Sequence, residues 1–319
     1  MNGFDAGISF VIPAYNEQDF IGKTLQSIHQ RVPEGIEYEV VVLDNGSTDN
    51  TFEIANSNDA LVFKVENKTI AHLRNIGARE TRYPVLIFID ADIVLTEQWK
   101  HEIKQTLETF DRTPLLVTGS RVLPEDEIKW LNKYWFHRLT QYDAPYINSG
   151  HLITSRKLFN KLGGFNSELK TAEDYDFCMR AKLAGSRLSN NRELAVIHLG
   201  YPKTIRKFFC RERWHGKQDF MSWNAFRTSK IAQIAAFNLI FFLVAVVMTL
   251  LSFDLIYVFT YLAGMTGVSM LLTLVKFGKL PAIPFINTSI IFYIYLWGRS
   301  WSMLDRLKMY WSSPTGHFL

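Results

Sequence analysis

The residues of this sequence whose types and spacing best suit metal binding are two aspartates separated by one small residue, Asp90 and Asp92. They directly follow the apolar run 85–89, which predicts a buried strand. Open α/β sheets bind ligands in the crevice at the carboxyl ends of their strands, so both carboxylates are expected to face a ligand. Such a pair suits a hard cation, Mg²⁺ or Mn²⁺, which can bridge a diphosphate and take up the charge of a leaving group. The alternative is a solvated acidic turn.

Polar segments also follow two other predicted strands, over 13–17 and over 44–49. Strand and helix signals alternate along this part of the chain, which predicts a mainly parallel sheet with right-handed crossovers. The carboxyl ends of parallel strands share one edge, so the three polar segments predict one ligand site there. The alternating strands and helices are predicted over 8–12, 19–30, 38–43, 61–65, 70–79 and 85–89.

The second half of the 319-residue chain contains two charge-free runs, 231–253 and 255–275. Each is long enough for a membrane-spanning helix, which needs about 20 apolar residues. A buried hairpin of a soluble protein is the alternative, which two such runs in succession disfavour. The sequence therefore predicts a soluble domain over 1–225 and a membrane anchor over 226–319.

Eight basic residues between 203 and 230 precede the first charge-free run, whereas the hairpin tip carries none. The positive-inside rule then predicts a multi-pass protein of the inner or plasma membrane with its large domain in the cytoplasm. The apolar stretch 280–297 is short and contains two prolines. We expect a re-entrant or interfacial segment there, with a third full span as the alternative. Cys178 and Cys210 are expected to be free thiols.

Six motifs, in this order and at this spacing, resemble the family 2 glycosyltransferases. The resemblance covers about residues 8–215. It implies the GT-A fold, a Rossmann-like α/β architecture, and sugar transfer from a nucleotide-sugar with inversion at the anomeric carbon. The motifs are VIPAYNE over 11–17, VLDNGSTD over 42–49, RNIGA over 74–78, IDAD over 89–92, GGFN over 163–166 and EDYDF over 173–177.

The resemblance implies a donor pocket built from the first two motifs. Pro13, Tyr15 and Glu17 are expected to line the base and the ribose. Asp44 is expected to accept a hydrogen bond from the base, an arrangement typical of uracil, which favours a UDP-sugar. Many relatives carry a second acid where this chain has Asn45.

The resemblance also implies how the diphosphate and its metal would be held. Arg74 and Asn75 are expected near the diphosphate or the donor sugar, with an exposed helix charge as the alternative for Arg74. Asp92 resembles the direct ligand of Mn²⁺ or Mg²⁺, and Asp90 is expected towards the ribose or a metal-bound water. His198 matches a position that often supplies a third ligand, although a structural histidine fits as well.

By the same resemblance, Asp174 is the general base that takes the proton of an acceptor hydroxyl. Glu173 would hold acceptor hydroxyls or orient the loop, and Gly150 belongs to an acceptor-side loop over 148–151. The alternative for the two acids is an ordinary acidic helix start.

The segment around Arg213 and Trp214 resembles the Gln-x-x-Arg-Trp element of processive polysaccharide synthases, with Cys210 in place of the glutamine. Arg213 would stabilise the departing diphosphate and Trp214 would form the acceptor floor. The alternative, compatible with the first, is a basic amphipathic segment on the inner leaflet.

Together these features predict a membrane-anchored enzyme that moves one sugar from a nucleotide-sugar to a membrane-associated acceptor in cell-envelope or exopolysaccharide biosynthesis. Two or three spans are too few for the channel of a processive synthase. The alternatives are a polyprenyl-phosphate glycosyltransferase and a non-catalytic, sugar-nucleotide-binding scaffold subunit. An envelope-biosynthesis complex is a candidate partner, and no nucleic acid is expected.

Overall fold

The computed structural model describes residues 7–120, 122–125, 129–142, 144–169 and 171–312, the side chains of 218 and 307–312 excepted. The chain forms two compact units, Met1–Asp126 with Thr140–Tyr201, and Glu127–Leu139 with Pro202–Leu319. The domain boundary predicted at residue 225 lies inside the second unit. Aromatic packing explains the earlier boundary, because Trp135 stacks edge-on against Phe208, which precedes residue 225.

A seven-stranded sheet in the order β3-β2-β1-β4-β8-β6-β9 forms the centre of the first unit. Its strands pair in parallel except β8, which is antiparallel to both neighbours. The predicted mainly parallel α/β fold is thus confirmed. The ten strands are β1 (Ile8–Ala14), β2 (Tyr38–Asp44), β3 (Leu61–Lys64), β4 (Val85–Ile89), β5 (Ile93–Leu95), β6 (Leu116–Gly119), β7 (Val122–Pro124), β8 (His151–Ser155), β9 (Arg187–Asn190) and β10 (Val196–His198).

Helices cover both faces of this sheet, so β1 and β4 are buried along their whole length. This burial explains why both strands read as continuous apolar runs. The first helix buries Ile21, Leu25 and Ile28 on one face, at the spacing of an amphipathic helix. The helices of the first unit are α1 (Ile21–Arg31), α2 (Thr51–Asn56), α3 (Ile70–Arg79), α4 (Glu97–Arg112), α6 (Arg156–Lys161) and α7 (Glu173–Leu183).

A second, three-stranded sheet in the order β5-β10-β7 lies beyond the end of β4. Its antiparallel pairing places His198 opposite Ile93, one residue after Asp92. The backbone N–H of Leu199 donates to the carbonyl of Asp92 at 2.8 Å. This register brings a distant histidine to the aspartate pair.

The second unit is helical, and two of its helices are long and apolar enough to cross a membrane, α10 and α11. Only 28% and 22% of their most apolar stretches are buried, unlike the core helix of a soluble protein. The unit contains a π-helical turn (Asn132–Phe136), α5 (His137–Leu139), α8 (Ile205–Gly216), a 3₁₀ turn (Gln218–Phe220), α9 (Trp223–Thr228), α10 (Lys230–Ser252), α11 (Ile256–Phe277) and α12 (Ala282–Ser312).

The stretch 280–297 forms the beginning of one uninterrupted helix, α12, rather than a re-entrant segment. Pro281 precedes this helix and Pro284 lies in its first turn, where a missing backbone N–H breaks no helical hydrogen bond. An interfacial helix and a third span remain as the two interpretations of this segment.

Candidate active site

Most of the predicted donor and metal residues of the first unit meet in one cleft at the carboxyl ends of β1 and β4, whereas Asp44, Arg74 and Asn75 do not line it. The cleft has a volume of about 270 Å³. Seven of the lining residues are predicted site residues, and four small or apolar side chains complete the lining. The lining residues are Pro13, Ala14, Tyr15, Glu17, Asn45, Ile70, Leu73, Asp90, Ala91, Asp92 and His198.

Side chains lock the turn after β1 to the turn after β2. Asn16, in the left-handed region at φ 55°, accepts a hydrogen bond from the backbone N–H of Thr48 at 2.8 Å. Its own N–H donates to Ser47 Oγ at 2.9 Å. The N–H of Glu17 donates to Thr51 Oγ1 at 2.7 Å. These bonds hold rigid the rim that carries Glu17.

Tyr15 lies on this rim with 57% of its surface exposed. A flat ring with one free face can stack on a planar ligand such as a nucleobase. Asp44 is buried nearby, where its Oδ1 accepts from the N–H of Ser47 at 3.2 Å, and it does not line the cleft.

Asn45 stands where many relatives have an acidic residue, and its hydrogen bonds explain why an amide is suited to this position. Its Nδ2 donates to the carbonyl of Lys68, and its Oδ1 accepts from the N–H of Lys68, both at 3.1 Å. An amide both donates and accepts, whereas a carboxylate only accepts. Asn45 therefore clamps the segment that leads into α3, a role that an aspartate could fill only in part.

Three carboxylates crowd the cleft. Burial, followed by the charges of Asp90 and Glu17, raises the pKa of Asp92 to about 8. Burial, followed by the charge of Asp90, raises the pKa of Glu17 to about 7. His198 Nδ1 lies 3.4 Å from Asp92 Oδ2, and its ring stacks on Tyr201 with 4.2 Å between centroids. Like charges held this close favour a bound cation.

The residues of the cleft fit a partial metal site. Among the described residues, no three His, Cys, Asp or Glu side chains converge into a complete set of ligands. Mg²⁺ commonly binds through one or two carboxylates, with substrate phosphates and water filling the other positions. Gly200 lies against Asp92, and a methyl group there would overlap Asp92 Oδ2. The donor set thus fits a hard divalent cation at Asp92, with Asp90 and His198 close by.

Arg74 is 1% exposed, so the exposed-charge alternative is wrong. Its Nη2 donates to Asp90 Oδ1 and its Nη1 donates to Glu173 Oε1, both at 2.6 Å. Ser149 Oγ also donates to Glu173 Oε1, at 3.0 Å. One guanidinium therefore joins the metal-side carboxylate to the carboxylate beside the candidate base, and Glu173 is buried in this network.

Asp174 is the second residue of α7, directly after Glu173. The residue before the pair, Ala172, is left-handed at φ 64°, a strained conformation of the kind that clusters at active sites. The N–H groups of Ser149 and Tyr175 donate to the Asp174 carboxylate at 3.2 and 2.8 Å. Burial, followed by the charge of Glu173, raises the pKa of Asp174 to about 6. A carboxylate with a pKa near neutrality suits general-base catalysis.

Asn75 binds a loop of its own unit. Its Nδ2 donates to the carbonyl of Phe165 at 2.8 Å and to Ser167 Oγ at 3.0 Å, and its Oδ1 accepts from the N–H of Phe165 at 2.9 Å. Gly164, at φ +76°, allows the close approach, because a Cβ there would lie 2.6 Å from Asn75 Oδ1. The structure thus gives Asn75 a positioning role, and it does not line the cleft.

The loop over 148–150 approaches Asp90. A Cβ on Gly150 would lie 3.0 Å from Asp90 Oδ2, so a side chain there would crowd the carboxylate. The next residue, His151, is fully buried and accepts from Trp99 Nε1 at 3.0 Å. Burial lowers the pKa of His151 to about 3, which keeps the ring neutral. The sequence predicts the loop that contains Ser149 and His151 but not their individual roles, because these depend on the distant partners Glu173 and Trp99.

Arg213 and Trp214 lie on α8 of the second unit. Arg213 pairs through Nε and Nη2 with both carboxylate oxygens of Asp305 on α12, at 2.6 Å for Nε. Trp214 is exposed. The sequence does not predict the Asp305 partner, which lies 92 positions away.

Comparison with known proteins bears on this site. The profile described as glycosyl transferase family 2 matches residues 9–178. The glycosyltransferase AglE of Haloferax volcanii is 24% identical over 210 residues, covering 61% of this chain and 67% of AglE. The poly-beta-1,6-N-acetyl-D-glucosamine synthase of Staphylococcus aureus is 25% identical over 256 residues, covering 74% of this chain and 60% of the synthase.

Two further similarities differ in extent. The poly(ribitol-phosphate) beta-N-acetylglucosaminyltransferase TarS of Staphylococcus aureus is 25% identical over 198 residues, covering 57% of this chain but only 33% of TarS. The mannosyltransferase PcManGT from Pyrobaculum calidifontis, solved in complex with GDP-Man and Mn²⁺, superposes with a TM-score of 0.59 at 18% identity. That superposition covers 95% of this chain and 88% of PcManGT, and it shows a common fold.

Proposed function

Because the chain belongs to glycosyl transferase family 2, we propose that it transfers a single sugar from a nucleotide-sugar to a membrane-associated acceptor, with Asp174 as the general base. The observation that carries this proposal is the network of Arg74, which binds Asp90 on the cleft side and Glu173 beside the base. Glycosyl transfer needs a leaving-group site and a proton acceptor held in fixed geometry, and one buried guanidinium supplies that link.

The donor is a nucleoside diphosphate sugar. Tyr15 and Glu17 support this assignment as walls of the cleft, and Asp90 and Asp92 support it as a carboxylate pair at its floor. The resemblance favours UDP as the nucleotide, whereas the structural neighbour PcManGT binds GDP-Man. A divalent cation bound at Asp92, Mn²⁺ or Mg²⁺, would neutralise the diphosphate as it leaves.

In the proposed reaction, Asp174 takes the proton of an acceptor hydroxyl as that oxygen attacks the anomeric carbon. The bond to the diphosphate breaks on the opposite face, so the configuration inverts. Glu173 and Arg74 position the base from its buried side.

The protonation chemistry of Asp174 favours a hydroxyl acceptor over a polyprenyl phosphate. A lipid phosphate is already ionised at neutral pH and hardly needs a base, whereas a sugar hydroxyl does. A buried carboxylate whose pKa is raised to about 6 is the group such a hydroxyl requires. Lipid-linked saccharides in envelope biosynthesis combine a hydroxyl acceptor with a membrane location, which the exposed apolar helices α10 and α11 support.

Substitution of Asp174 by Asn tests the proposal, because the amide keeps the shape but cannot accept the proton. With labelled UDP- and GDP-sugars and membranes as acceptor source, we expect turnover of the lipid-extractable product to fall about 10²–10⁴-fold, the usual contribution of general-base catalysis. Donor binding should persist. Asp176→Asn is the matched control, since Asp176 lies on the same helix in an ion pair with Arg180.

Two other outcomes would replace the proposal. Full turnover by the Asp174→Asn variant, with a glycosylated polyprenyl phosphate as product, would establish the phosphate-acceptor alternative. Donor binding by the native chain without any product would indicate a scaffold subunit.

A further inference from the structure

The segment 203–230 of the second unit has a strongly uneven charge. It contains eight lysines and arginines but only two acids, Glu212 and Asp219. Both acids turn inward to Arg299 of α12, Glu212 at 3.3 Å and Asp219 at 2.9 Å. Its outward surface is therefore cationic.

Apolar and aromatic side chains are interleaved with these cations. Trp223 is 75% exposed on α9, and Trp214, Met221 and Ile205 are exposed as well. Exposed tryptophans among basic residues are typical of surfaces that lie at the headgroup level of a bilayer. We name this surface the basic face. Its exposed members are Lys203, Ile205, Arg206, Lys207, Cys210, Trp214, Lys217, Met221, Trp223, Arg227 and Lys230.

The basic face continues directly into a candidate membrane helix. Ser229 alone separates α9 from α10, which begins at Lys230. The Ser229 side chain caps α10 by accepting from the N–H of Ala232. Cations that precede an apolar helix by so few residues lie within the surface potential of an anionic leaflet, which attracts them.

The second half of α12 is held against α8. A Cβ on Gly298 would lie 3.0 Å from Glu212 Cβ and 3.1 Å from the carbonyl of Phe209, so the two backbones approach closely. The Arg213–Asp305 pair extends this contact by two further helical turns. The helix α8 exposes Arg206 and Lys207 and so does not lie in hydrocarbon, and the part of α12 packed on it is held at the same depth.

The contacts of α12 with α10 agree with this placement. Ser300 Oγ donates to the carbonyl of Ala235 at 2.7 Å, and Asn238 Nδ2 donates to Ser300 Oγ at 3.0 Å. At a rise of 1.5 Å per residue, Ala235 and Asn238 lie within about 12 Å of Lys230, the charged first residue of α10. Ser300 therefore lies towards the basic end of the apolar hairpin.

We infer that the basic face is a docking surface for the anionic lipids of the cytoplasmic leaflet, and that α12 lies along this leaflet instead of crossing the bilayer. The inference does not depend on sugar transfer. A soluble polyanion such as a nucleic acid would meet the same charges. The bilayer is favoured because the face adjoins α10 and exposes tryptophans.

The exposed Cys210 is a built-in probe of this surface, since Cys178 is buried. The full-length chain, labelled at Cys210 with a fluorophore, is reconstituted in nanodiscs that contain lipids brominated near the headgroup end of the chain. In discs with about one-third phosphatidylglycerol, we expect quenching about twofold or more above that in phosphatidylcholine discs. In the double variant Lys207→Gln, Lys217→Gln, the quenching in phosphatidylglycerol discs should fall towards the level seen in phosphatidylcholine discs.

A labelled Val247→Cys, Cys210→Ser variant is the control. Val247 is exposed in the second half of α10, far from the basic face, so its quenching by lipids brominated deeper in the chain should not depend on lipid charge. Equal, weak quenching of Cys210 in both kinds of disc would overturn the inference. So would a response of the label to added polynucleotide, at physiological salt, that anionic lipid does not reproduce.

The placement of α12 has its own readout. Carboxyl-terminal fusions of the full chain to green fluorescent protein and to alkaline phosphatase should be fluorescent and inactive, respectively, when expressed in bacteria. Active phosphatase with a dark fluorescent protein would show that α12 crosses the bilayer.

Discussion

The guanidinium of Arg74 joins two carboxylates, one 16 and the other 99 positions further along the chain. An arginine suits this role because its planar fork can donate to two acids at once, which the point charge of a lysine cannot do. With one cation shared between them, Asp90 stays at the cleft and Glu173 stays buried beside Asp174. Positioning of the candidate base Asp174 therefore depends on a residue of α3.

Replacement of Arg74 by Met should destabilise the first unit by about 3–5 kcal/mol, because it leaves the buried carboxylate of Glu173 without its cationic partner. Adding Glu173→Gln should restore part of this loss, since the stranded charge is removed. Urea unfolding of the purified variants in detergent measures both changes in the free energy of unfolding. Strictly additive effects in this double-mutant cycle would show that the two side chains do not interact.

The raised pKa of Asp174 predicts an acidic limb in the pH profile. A base must be deprotonated to act, and this carboxyl is protonated below its pKa of about 6. At saturating Mn²⁺, kcat/KM should therefore fall about tenfold per pH unit below pH 6 and level off above it. The limb should vanish from the residual activity of Asp174→Asn and persist in Asp176→Asn. A limb that survives in the former variant would assign it to another group.

At the scale of elements, the site depends on strand register. The pairing of β10 with β5 sets His198 opposite Ile93, and the next turn brings Gly200 against Asp92. Neither strand exceeds three residues, and no periodicity marks such short strands in a sequence. The longer elements are different, since the predicted helix 70–79 and strand 85–89 coincide with α3 and β4.

A methyl group at Gly200 should displace the Asp92 carboxylate. We expect Gly200→Ala to weaken Mn²⁺ binding about 10–100-fold, the usual effect of disturbing the surroundings of a metal ligand. Titration of free Mn²⁺ by electron paramagnetic resonance measures this. Gly267→Ala is the matched control, because open space surrounds that glycine. Unchanged Mn²⁺ affinity in Gly200→Ala would argue against Asp92 as the ligand.

At the scale of the whole molecule, the two units carry different features. The first contains the cleft and the candidate base, and the second contains the apolar helices and the basic face. Phe253, at the tip between α10 and α11, is 93% exposed. The tip carries no basic residue, whereas eight lysines and arginines lie between 203 and 230. The positive-inside rule therefore predicts that the tip is on the outer side of the membrane and the basic face on the inner side.

Thiol labelling in intact cells tests this orientation. A membrane-impermeant maleimide should label a Phe253→Cys, Cys210→Ser variant without permeabilisation, whereas native Cys210 should react only after the cells are opened. The reverse pattern would invert the topology and place the catalytic domain outside.

The sequence by itself determined the features that depend on chain-local physics. Apolar runs after turn residues identified the strands, and parallel strands must bring their carboxyl ends to one edge, so the cleft around Asp90 and Asp92 was predictable. The two charge-free runs likewise identified α10 and α11 by length alone.

Only the tertiary structure decided which partners the polar side chains take. Asn75 and Arg74 are neighbours in sequence, yet one pins the loop at Phe165 and the other bridges Asp90 and Glu173. Hydrogen bonds and ion pairs form between any suitable polar groups that tertiary packing brings to within about 3 Å of each other. The periodicity of a sequence describes local elements only, so it carries no information about partners such as Phe165 and Glu173, which lie 90 or more positions away. The structure also shows that α12 is continuous and that its second half packs closely on α8 at Gly298.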